Sequence, residues 1–512
     1  MNSKNRKLVL LVGLMMLSFF IRQAFPANSS AEKHKSRSIH FAFSYEFNYY
    51  YDPADYNYSL LQPFFSCIYS TLYRFDTDMK PYPFLLDKID RKGKTVVFYL
   101  KHSANFSDGS PITAEDVVDT LEYVMTRASY PNPIYKLIEG GEEFSQKKTQ
   151  HCSGIKVLGS KTFEIRFVSE TVEFSYYFAS NVTAILPKNR SKEKVLCSGP
   201  YFIEEYRNKK DEVIIKLKQN PWYIGRKNNI DYIYAHFYAR RFDYERTIEF
   251  GEPDIFFNYQ YNTIPYSRFK YSYFKIPPLG GFYFILNAKR GPFKDIRLRK
   301  LFKNVILSLN LAGSENWEMM IPSKLVLPYS LTGYFVFNHM VPEDIKDLIP
   351  TKPVTIKCMT SNVGFRQTLF AILKKKLSRY NINIELDWKQ MDIVQEHQRR
   401  GDIDMTSYYH VVDIPLSGYF YETMFTPGQE LNLFSYSVPE ASTLLRSYHQ
   451  ETDEIKKLKI LSRLEEIAQY ESFFIPLFNP LCFIGYKSNI KGVCVNGLLN
   501  LCIEDMYVGK RN

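Results

Sequence analysis

A strand–helix–strand pattern over residues 354–388 constrains the fold of this chain more than any other feature. β-Branched and apolar residues predict strands over 354–359 and 382–388, and the segment 364–379 between them has the apolar spacing of a helix. Two consecutive strands joined by a helical crossover pair in parallel, because the crossover returns the chain to the same end of the sheet. The pattern therefore predicts an α/β fold.

The length of the chain predicts more than one folding unit. A chain of 512 residues is too long for a single core, so we expect two or three domains or lobes. With 45% hydrophobic and 23% charged residues it has the composition of a globular protein. Strands are also predicted at 39–45, 95–100 and 473–478, hairpins at 155–168 and 199–223, and helices at 62–74, 295–309 and 454–470.

The stretch ANFSDGSPITAEDVVDTLEYVM, residues 104–125, predicts a tight turn followed by a capped helix. Gly109 follows Asp108 and accepts the positive φ that such a turn requires. Thr113 can cap a helix whose third residue is the acidic Asp116, and apolar residues then recur at helical spacing. By itself the unit predicts local structure and no chemistry.

The N-terminus predicts export. A basic start at 4–7 precedes the apolar run Leu8–Ile21, and a polar stretch follows, which is typical of a secretory signal. The run is shorter than the ~20 residues needed to span a bilayer. We expect a signal segment over 1–31, cleaved after Ala27 or Ala31, and an uncleaved membrane anchor is the alternative.

The net charge of +12 does not indicate nucleic-acid binding. Half of it lies within residues 1–37, ahead of the folded part of the chain. The later basic clusters at 207–218 and 374–376 are mixed with acids or lie on helix-like faces, as solvated surfaces do. We therefore expect no nucleic-acid partner.

The sequence contains no recognisable catalytic or metal-binding signature. The stretch 93–95 ends like a phosphate-binding loop but lacks the required upstream glycine, and neither G-x-S-x-G nor H-E-x-x-H occurs. None of the seven cysteines form C-x-x-C. In an exported chain some could pair, Cys152 with Cys197 being one possibility, but the odd number leaves at least one without a partner in the chain. We predict no enzyme, no cofactor and no metal site.

Several segments share residues and order with a known family. They are YDPADYNYSLLQPFFSCIYSTLYRFD (51–76), FSDGSPITAEDVVDTLEYVM (106–125), CSGPYFIEEYRNKKDEVIIKLKQNPWYIGRKNNID (197–231), FYFILNAKRGPFKDIRLRKLFKNVI (282–306), GDIDM (401–405), YSVPEASTLL (436–445) and FFIPLF (473–478). Together they resemble the peptide-type extracytoplasmic solute-binding proteins of ABC importers, the oligopeptide, dipeptide and nickel-binding family. The resemblance extends over almost the whole chain after the signal segment.

The resemblance implies the two-lobe periplasmic-binding-protein fold, an α/β fold whose hinged lobes close around a ligand. The first lobe is expected to combine 38–73, 196–275 and 477–512. An extra subdomain inserted in the first lobe is expected over 74–195, and the second lobe over 276–476.

The resemblance also implies how a ligand is held. In this family an extended peptide lies between the lobes and pairs through its backbone with short strand-like segments, while its side chains lie in hydrated pockets. We expect two pairing segments, Ser59, Leu60 and Leu61 in one and Tyr409, His410 and Val411 in the other. Ordinary lobe surface is the alternative for both.

The α-ammonium of a peptide requires an anion, and the family commonly supplies an aspartate just after the second pairing segment. In YYHVVDIPLSGYF that residue is Asp413, but it precedes Pro415 by two residues rather than by the usual longer spacing. Either two residues are deleted and Asp413 is the anchor, or Asp413 is a turn acid and the anchor is lost.

Three further residues are ligand-binding candidates by the same resemblance. Tyr135 and Tyr283 are expected to contact the ligand, with core or interface packing as the alternative. Arg366 is expected to meet a peptide carboxylate.

The function implied is that of a non-catalytic periplasmic receptor, a monomer, that captures oligopeptides for an ABC permease of the inner membrane. The same fold binding a cell-wall peptide, a dipeptide or a metal chelate is one alternative. A membrane-tethered binding protein without a transport role and an exported hydrolase with dispersed catalytic groups are two others.

Overall fold

The computed structural model describes residues 37–44, 52–53, 61–126, 132–171, 173–190, 195–258, 271–276, 279–309, 320–341, 343–362 and 365–509. The α-helices are α1 Gln62–Ile68, α2 Ala114–Thr126, α3 Gly141–Ser145, α4 Phe174–Tyr177, α5 Arg241–Phe250, α6 Ile296–Leu307, α7 Arg366–Leu377, α8 Met391–Arg400, α9 Ser417–Phe425, α10 Pro439–Gln450 and α11 Glu454–Glu471. The strands are β1 Ser38–Phe43, β2 Tyr73–Phe75, β3 Pro81–Pro83, β4 Leu86–Lys92, β5 Thr95–Leu100, β6 Ile155–Gly159, β7 Thr162–Arg166, β8 Tyr201–Lys209, β9 Glu212–Gln219, β10 Tyr232–Tyr238, β11 Ile255–Asn258, β12 Ser272–Ile276, β13 Gly280–Leu286, β14 Met320–Pro322, β15 Val354–Thr360, β16 Ile382–Trp388, β17 Met405–Val411, β18 Phe474–Pro480, β19 Cys482–Tyr486, β20 Ile490–Lys491 and β21 Tyr507–Val508.

A seven-stranded sheet brings together distant parts of the chain, in the order β12-β19-β11-β1-β10-β9-β8. β1 lies in its centre and is parallel to both β10 and β11. Ile39, Phe41 and Phe43 of β1 alternate onto one face and enter one apolar core, as the two-residue period of a strand requires. Hydrophobic burial on that face fixes the register of a sheet whose strands lie far apart in sequence.

A six-stranded sheet in the order β14-β18-β13-β17-β15-β16 carries the predicted strand–helix–strand unit. β15 and β16 pair in parallel with α7 between them, so this prediction is confirmed. The central strand β13 is buried along its whole length. Its side chains alternate between two cores, with Phe282 and Phe284 in one and Tyr283 and Ile285 in the other.

A four-stranded antiparallel sheet, β4-β5-β7-β6, packs with the capped helix α2. Thr113 and Asp116 form the expected capping box: the Thr113 N–H donates to Asp116 Oδ2 at 2.8 Å, and the Asp116 N–H donates to Thr113 Oγ1 at 3.3 Å. Gly109 has φ +88°, and a Cβ there would lie 2.9 Å from the Trp222 ring, so both the turn and the packing require glycine.

The chain passes between the two large sheets at two places. β12 belongs to the seven-stranded sheet and the next strand, β13, to the six-stranded one. In the other direction, β18 ends at Pro480 and β19 begins at Cys482, so a single residue separates strands of different sheets. The first lobe is expected to resume at residue 477. That residue lies within β18, which pairs with strands of the six-stranded sheet.

The helix predicted over 62–74 is wrong at its C-terminal end, since α1 stops at Ile68. The Gly199 N–H donates to the Ile68 carbonyl at 2.9 Å, and that carbonyl is the one a longer helix would use to bond the Leu72 amide. Ser70 likewise turns to Ser198, whose hydroxyl accepts from the Ser70 N–H at 2.9 Å. Tertiary hydrogen bonds therefore replace the next helical turn.

The predicted signal segment, 1–31, lies outside the described residues. In the part of the chain that the structure does describe, none of the helices combines the length and the apolar character needed to cross a membrane.

Candidate functional site

The C-terminal end of β17 pairs with a neighbouring strand on one side only, among the described residues. β17 pairs with β13 from Met405–Leu286 to Val411–Gly280. On its other side it meets β15 only at Met405 and Cys358 within the described residues. The strand end at His410 and Val411, one of the two predicted pairing segments, therefore has a ladder partner on its β13 side alone among those residues.

Two carboxylates lie next to this strand end. Glu430 is held by the strand: the Tyr408 hydroxyl donates to its Oε1 at 2.7 Å, and His410 Nδ1 lies 3.4 Å from the same oxygen. Burial by itself raises the pKa of Glu430, but His410 and the hydrogen bonds from His410 and Tyr408 lower it overall. Glu430 is thus a buried anion that the protein itself stabilises.

Asp413 is the second carboxylate and is not stabilised in this way. The pKa of Asp413 is raised to about 7 by burial and, to a lesser extent, by the nearby Glu430, while His410 opposes the rise. The side chain keeps part of its surface exposed. Within the described residues no lysine or arginine forms an ion pair with Asp413, and no backbone amide donates to its carboxylate.

The walls around the two acids are aromatic and come from two parts of the fold. Tyr419 of α9 lies close enough to both carboxylates for them to raise its pKa, after the larger effect of its burial. Its ring packs edge-on against Tyr177 of α4, with centroids 6.2 Å apart. Tyr135, a predicted contact, lies half-buried beside Tyr177 and adds to the rise of that residue's pKa, behind burial and two acids. Two rings, those of Tyr177 and Tyr419, therefore separate Tyr135 from Asp413.

Tyr283 is buried close to the same strand end. Its ring packs on Phe474 at a centroid distance of 4.4 Å, and Phe420 lies between it and His410. A Cβ on Gly281, which pairs with His410, would lie 2.6 Å from the Tyr283 hydroxyl, so glycine makes room for this tyrosine. Among the described residues, neither the Tyr283 hydroxyl nor His410 Nε2 has a hydrogen-bond partner.

The other two predicted contacts on this sheet face away from Asp413. Arg366, at the start of α7, bonds Ser361 and lies over the Phe282 ring at 5.3 Å. Tyr409 alternates with His410 on β17 and packs against the same apolar core as Phe282. Arg366 and Tyr409 thus lie on the opposite face of the six-stranded sheet from His410 and Tyr283.

The first predicted pairing segment lies only partly within the described residues. Ser59 and Leu60 lie outside the described residues. Leu61 is fully buried in the core of the seven-stranded sheet, directly before α1. Its side chain contributes to packing.

Ion pairs and hydrogen bonds join the segment 132–186 to helices α9, α10 and α11 close to this site. Glu173 bonds Lys457 Nζ at 2.7 Å and accepts from the Tyr448 hydroxyl at 2.8 Å. Lys136 pairs with Glu422, whose other oxygen lies 3.0 Å from His449 Nε2. Burial alone raises the pKa of Glu422, but His449 and Lys136 lower it to about 2. These charges are mutually compensated, in contrast to Asp413.

Sequence reasoning missed Glu430, Tyr419 and Tyr177. Glu430 lies seventeen residues after Asp413 in an irregular stretch, and nothing in its neighbours marks it as buried. Tyr419 and Tyr177 are two of 40 tyrosines, so their type carried no signal.

Comparison with known proteins gives three kinds of likeness. A family described as bacterial extracellular solute-binding proteins, family 5 Middle, matches residues 80–304. The periplasmic oligopeptide-binding protein OppA of Salmonella typhimurium is 22% identical over 450 residues, which cover 79% of this chain and 80% of that protein.

Solved structures match over nearly the full length. Haemophilus influenzae OppA, in complex with RPPGFSPFR, has a TM-score of 0.78 at 17% identity, covering 93% of this chain and 99% of that one. NikA from Staphylococcus aureus, in complex with Ni(L-His)2, has a TM-score of 0.75 at 15% identity, covering 92% and 100%. These likenesses confirm the predicted two-lobe α/β fold.

Proposed function

We propose that the chain is a member of family 5 of the bacterial extracellular solute-binding proteins, that it binds oligopeptides between its two lobes and that it delivers them to an ABC permease. The relatives compared are named as binding proteins and not as enzymes, and several are named as periplasmic. We propose the same location for this chain, reached through the signal segment 1–31.

The observation that carries the proposal is the uncompensated carboxylate of Asp413. The charged form of a buried acid is costly unless a cation or hydrogen-bond donors accompany it. Lys457 and Lys136 each pair with a glutamate, whereas Asp413 has no cationic partner among the described residues. An incoming α-ammonium would supply both the charge and up to three donors.

The strand end beside Asp413 supports an extended peptide as the carrier of that ammonium. A peptide added along the open side of β17 would pair with the backbone of His410 and Val411, and its first residue would then lie next to Asp413. Backbone pairing does not read side chains, so this arrangement suits ligands of varied sequence. The unpartnered Tyr283 hydroxyl and His410 Nε2 add two further groups that a ligand or an ordered water can bond.

The connections between the sheets support closure around the ligand. Among the described strands the chain crosses between the two large sheets twice, and the crossing between Pro480 and Cys482 is a single residue long. The segment 74–195 is preceded by α1, which packs on the seven-stranded sheet, and is followed by β8 of that sheet. It is therefore expected to move with the first lobe. Its ion pairs with the second lobe, Glu173–Lys457 and Lys136–Glu422, would then form on closing. A ligand that contacts both lobes favours the closed state by these differential contacts.

Native mass spectrometry of the freshly purified chain tests the ligand class directly. We expect adducts whose masses, after release and fragmentation, are those of short peptides with free amino termini. A released nickel chelate or a non-peptide solute would refute the peptide proposal while leaving the family unaffected.

Small-angle scattering tests the mechanism independently. Addition of a bound peptide to stripped protein should reduce the radius of gyration, because the lobes close. An unchanged radius at saturating peptide would contradict hinge closure.

A further inference from the structure

Two of the seven cysteines differ from the rest in exposure and in position. Cys67, Cys152, Cys197, Cys358 and Cys482 are buried, whereas Cys494 and Cys502 are partly exposed. The pair considered from the sequence is not formed: Cys152 lies in the core beneath the four-stranded sheet and Cys197 in that of the seven-stranded sheet. All seven carry free thiols.

Cys494 and Cys502 lie directly opposite each other in a narrow hairpin. Val495 and Leu501 form an antiparallel bridge, and the Cys502 N–H donates to the Cys494 carbonyl at 2.9 Å. The Asn496 N–H donates to the Asn500 carbonyl at 3.2 Å one step nearer the tip, so the pairing has a single register. Directly opposed residues of an antiparallel pair project their side chains to the same face.

The spacing of such a pair suits a disulfide. Hydrogen-bonded antiparallel partners have Cα atoms about 5.5 Å apart, within the roughly 4.4–6.8 Å that disulfides require. The Cys494 thiol lies close enough to that of Cys502 to raise its pKa, after the larger effect of burial. The backbone pairing at Cys494 and Cys502 is therefore compatible with a disulfide.

We propose that Cys494 and Cys502 form a disulfide when the protein is in an oxidising compartment. The two thiols lose two protons and two electrons to a disulfide oxidant, which is itself reduced to a dithiol, and one S–S bond forms within the chain. The five buried cysteines remain thiols, because their sulfur atoms are shielded from the oxidant. The odd number of cysteines is then accounted for without a partner molecule.

The bond would close the base of a turn that the chain holds under strain. Leu499 at the tip has φ +66°, a conformation that leucine rarely adopts. Asn496 Oδ1 supports it by accepting from the Leu498 and Asn500 amides, both at 3.1 Å. A covalent link between the two strands below this turn keeps them paired when the turn fluctuates.

The closed hairpin would also fix contacts made by residues within it and directly after it. Asn500 Oδ1 accepts from Asn181 at 2.8 Å, and Glu504 pairs with Arg74 at 2.5 Å. Both contacts border a pocket of about 300 Å³ between the C-terminal segment and residues 66–82. The disulfide therefore stabilises the junction of the seven-stranded sheet with the segment that follows α1.

The test uses the purified full chain, reduced and then exposed in its folded state to glutathione disulfide. After quenching with N-ethylmaleimide in denaturant, trypsin releases residues 492–510, the peptide that contains both cysteines. We expect this peptide without alkyl groups and lighter by the mass of two hydrogen atoms, while the other five cysteines are alkylated. Alkylation of both cysteines, glutathione attached to either, or a link to another cysteine would overturn the proposal.

Two variants make the result specific. Cys494→Ser leaves Cys502 without a partner, so glutathione should then remain attached to Cys502. Cys494→Ser/Cys502→Ser should unfold in urea at the midpoint of the reduced wild type, below that of the oxidised wild type. Because the test requires neither export nor a ligand, its outcome is independent of the proposed transport function.

Discussion

Replacing Asp413 by Asn separates an anchor for a peptide ammonium from a structural acid. The substitution keeps the size of the side chain and removes its charge. If the ammonium of a bound peptide pairs with Asp413 inside the closed lobes, loss of one partner of such a pair typically costs about 2–5 kcal/mol. Binding should therefore weaken by roughly 30-fold or more at pH 7.4.

The ligand provides the second arm of the experiment. N-acetylation of the peptide removes the same cation, so acetylated peptide should bind the wild type as poorly as free peptide binds Asp413→Asn. The two changes should be strongly non-additive, as expected for two changes to one contact. Calorimetric titration of the four combinations measures the coupling. Asp402→Asn is the matched control, because Asp402 pairs with His397 at the surface and lies outside the site.

The pH dependence follows from the raised pKa of Asp413. A ligand ammonium requires the ionised carboxylate, so below a pKa of about 7 each binding event must also release a proton. The α-ammonium itself titrates near pH 7.7–8.0, which weakens binding on the alkaline side. With both groups, affinity should be highest near pH 7.4 and about 50-fold lower at pH 5. Asp413→Asn should lose the acidic limb.

Stability gives an independent check with the opposite sign. In the ligand-free protein the folded state holds the Asp413 proton more tightly than the unfolded chain does, since the pKa rises from 3.8 to about 7. The folded state therefore loses stability as the pH rises through this window, and above it the charged carboxylate is a cost. At pH 8 Asp413→Asn should unfold at the same temperature as the wild type or higher. A clear drop in unfolding temperature, together with an unchanged preference for free over acetylated peptide, would refute the anchor and make Asp413 a turn residue.

Three further predictions test other parts of the proposal. Lys457→Met leaves Glu173 buried without its cation, which typically costs about 3–5 kcal/mol. If this pair forms when the lobes close, scattering should show a larger radius of gyration for the peptide-bound variant, and calorimetry should show weaker peptide binding. Lys456→Met, at the exposed neighbouring residue, should change neither measurement. Tyr283→Phe removes a buried hydroxyl that has no partner among the described residues, so thermal unfolding should be unchanged or slightly raised while peptide affinity falls if the ligand bonds that hydroxyl. Deletion of residues 1–21 should leave the protein in the cytoplasm, as fractionation and immunoblotting would show, and continued export would contradict the signal assignment.

Local patterns predicted much of the fold. The strands and helix over 354–388 follow from apolar periodicity, and the helix starting at Ala114 follows from Thr113, Asp116 and the glycine turn before them. These signals are contained within a few residues, so no distant contact is needed to interpret them. The helix expected to reach residue 74 failed for the converse reason. The helix ends because the Gly199 amide donates to the Ile68 carbonyl, which a longer helix would have used itself. Gly199 lies 131 residues after Ile68, so no local pattern could indicate this contact.

The site was predicted only as far as its residues are adjacent in sequence. His410, Val411 and Asp413 lie within four residues of one another, and the family resemblance named all three as candidates, which stay predictions. Arg366 and Tyr409 were assigned to the same site, but strand alternation places Tyr409 on the other face of β17 and Arg366 packs beside Phe282 there. A resemblance locates a segment and leaves the direction of each side chain to the register of the sheet.

The contrast among buried charges is the strongest argument that Asp413 serves a ligand. Arg299 bonds Glu471, Lys457 bonds Glu173, Lys136 bonds Glu422, and Glu430 is supported by His410 and Tyr408. A protein selected for stability alone would also pair Asp413 or replace it, because an isolated acid in such surroundings lowers the stability of the folded state at neutral pH. The uncompensated charge lies beside a strand end that is open on one side among the described residues, and the aromatic walls around it come from α9 and α4. Under the proposed function a ligand cation offsets this cost, so the same residue that destabilises the empty protein would favour closure around a peptide.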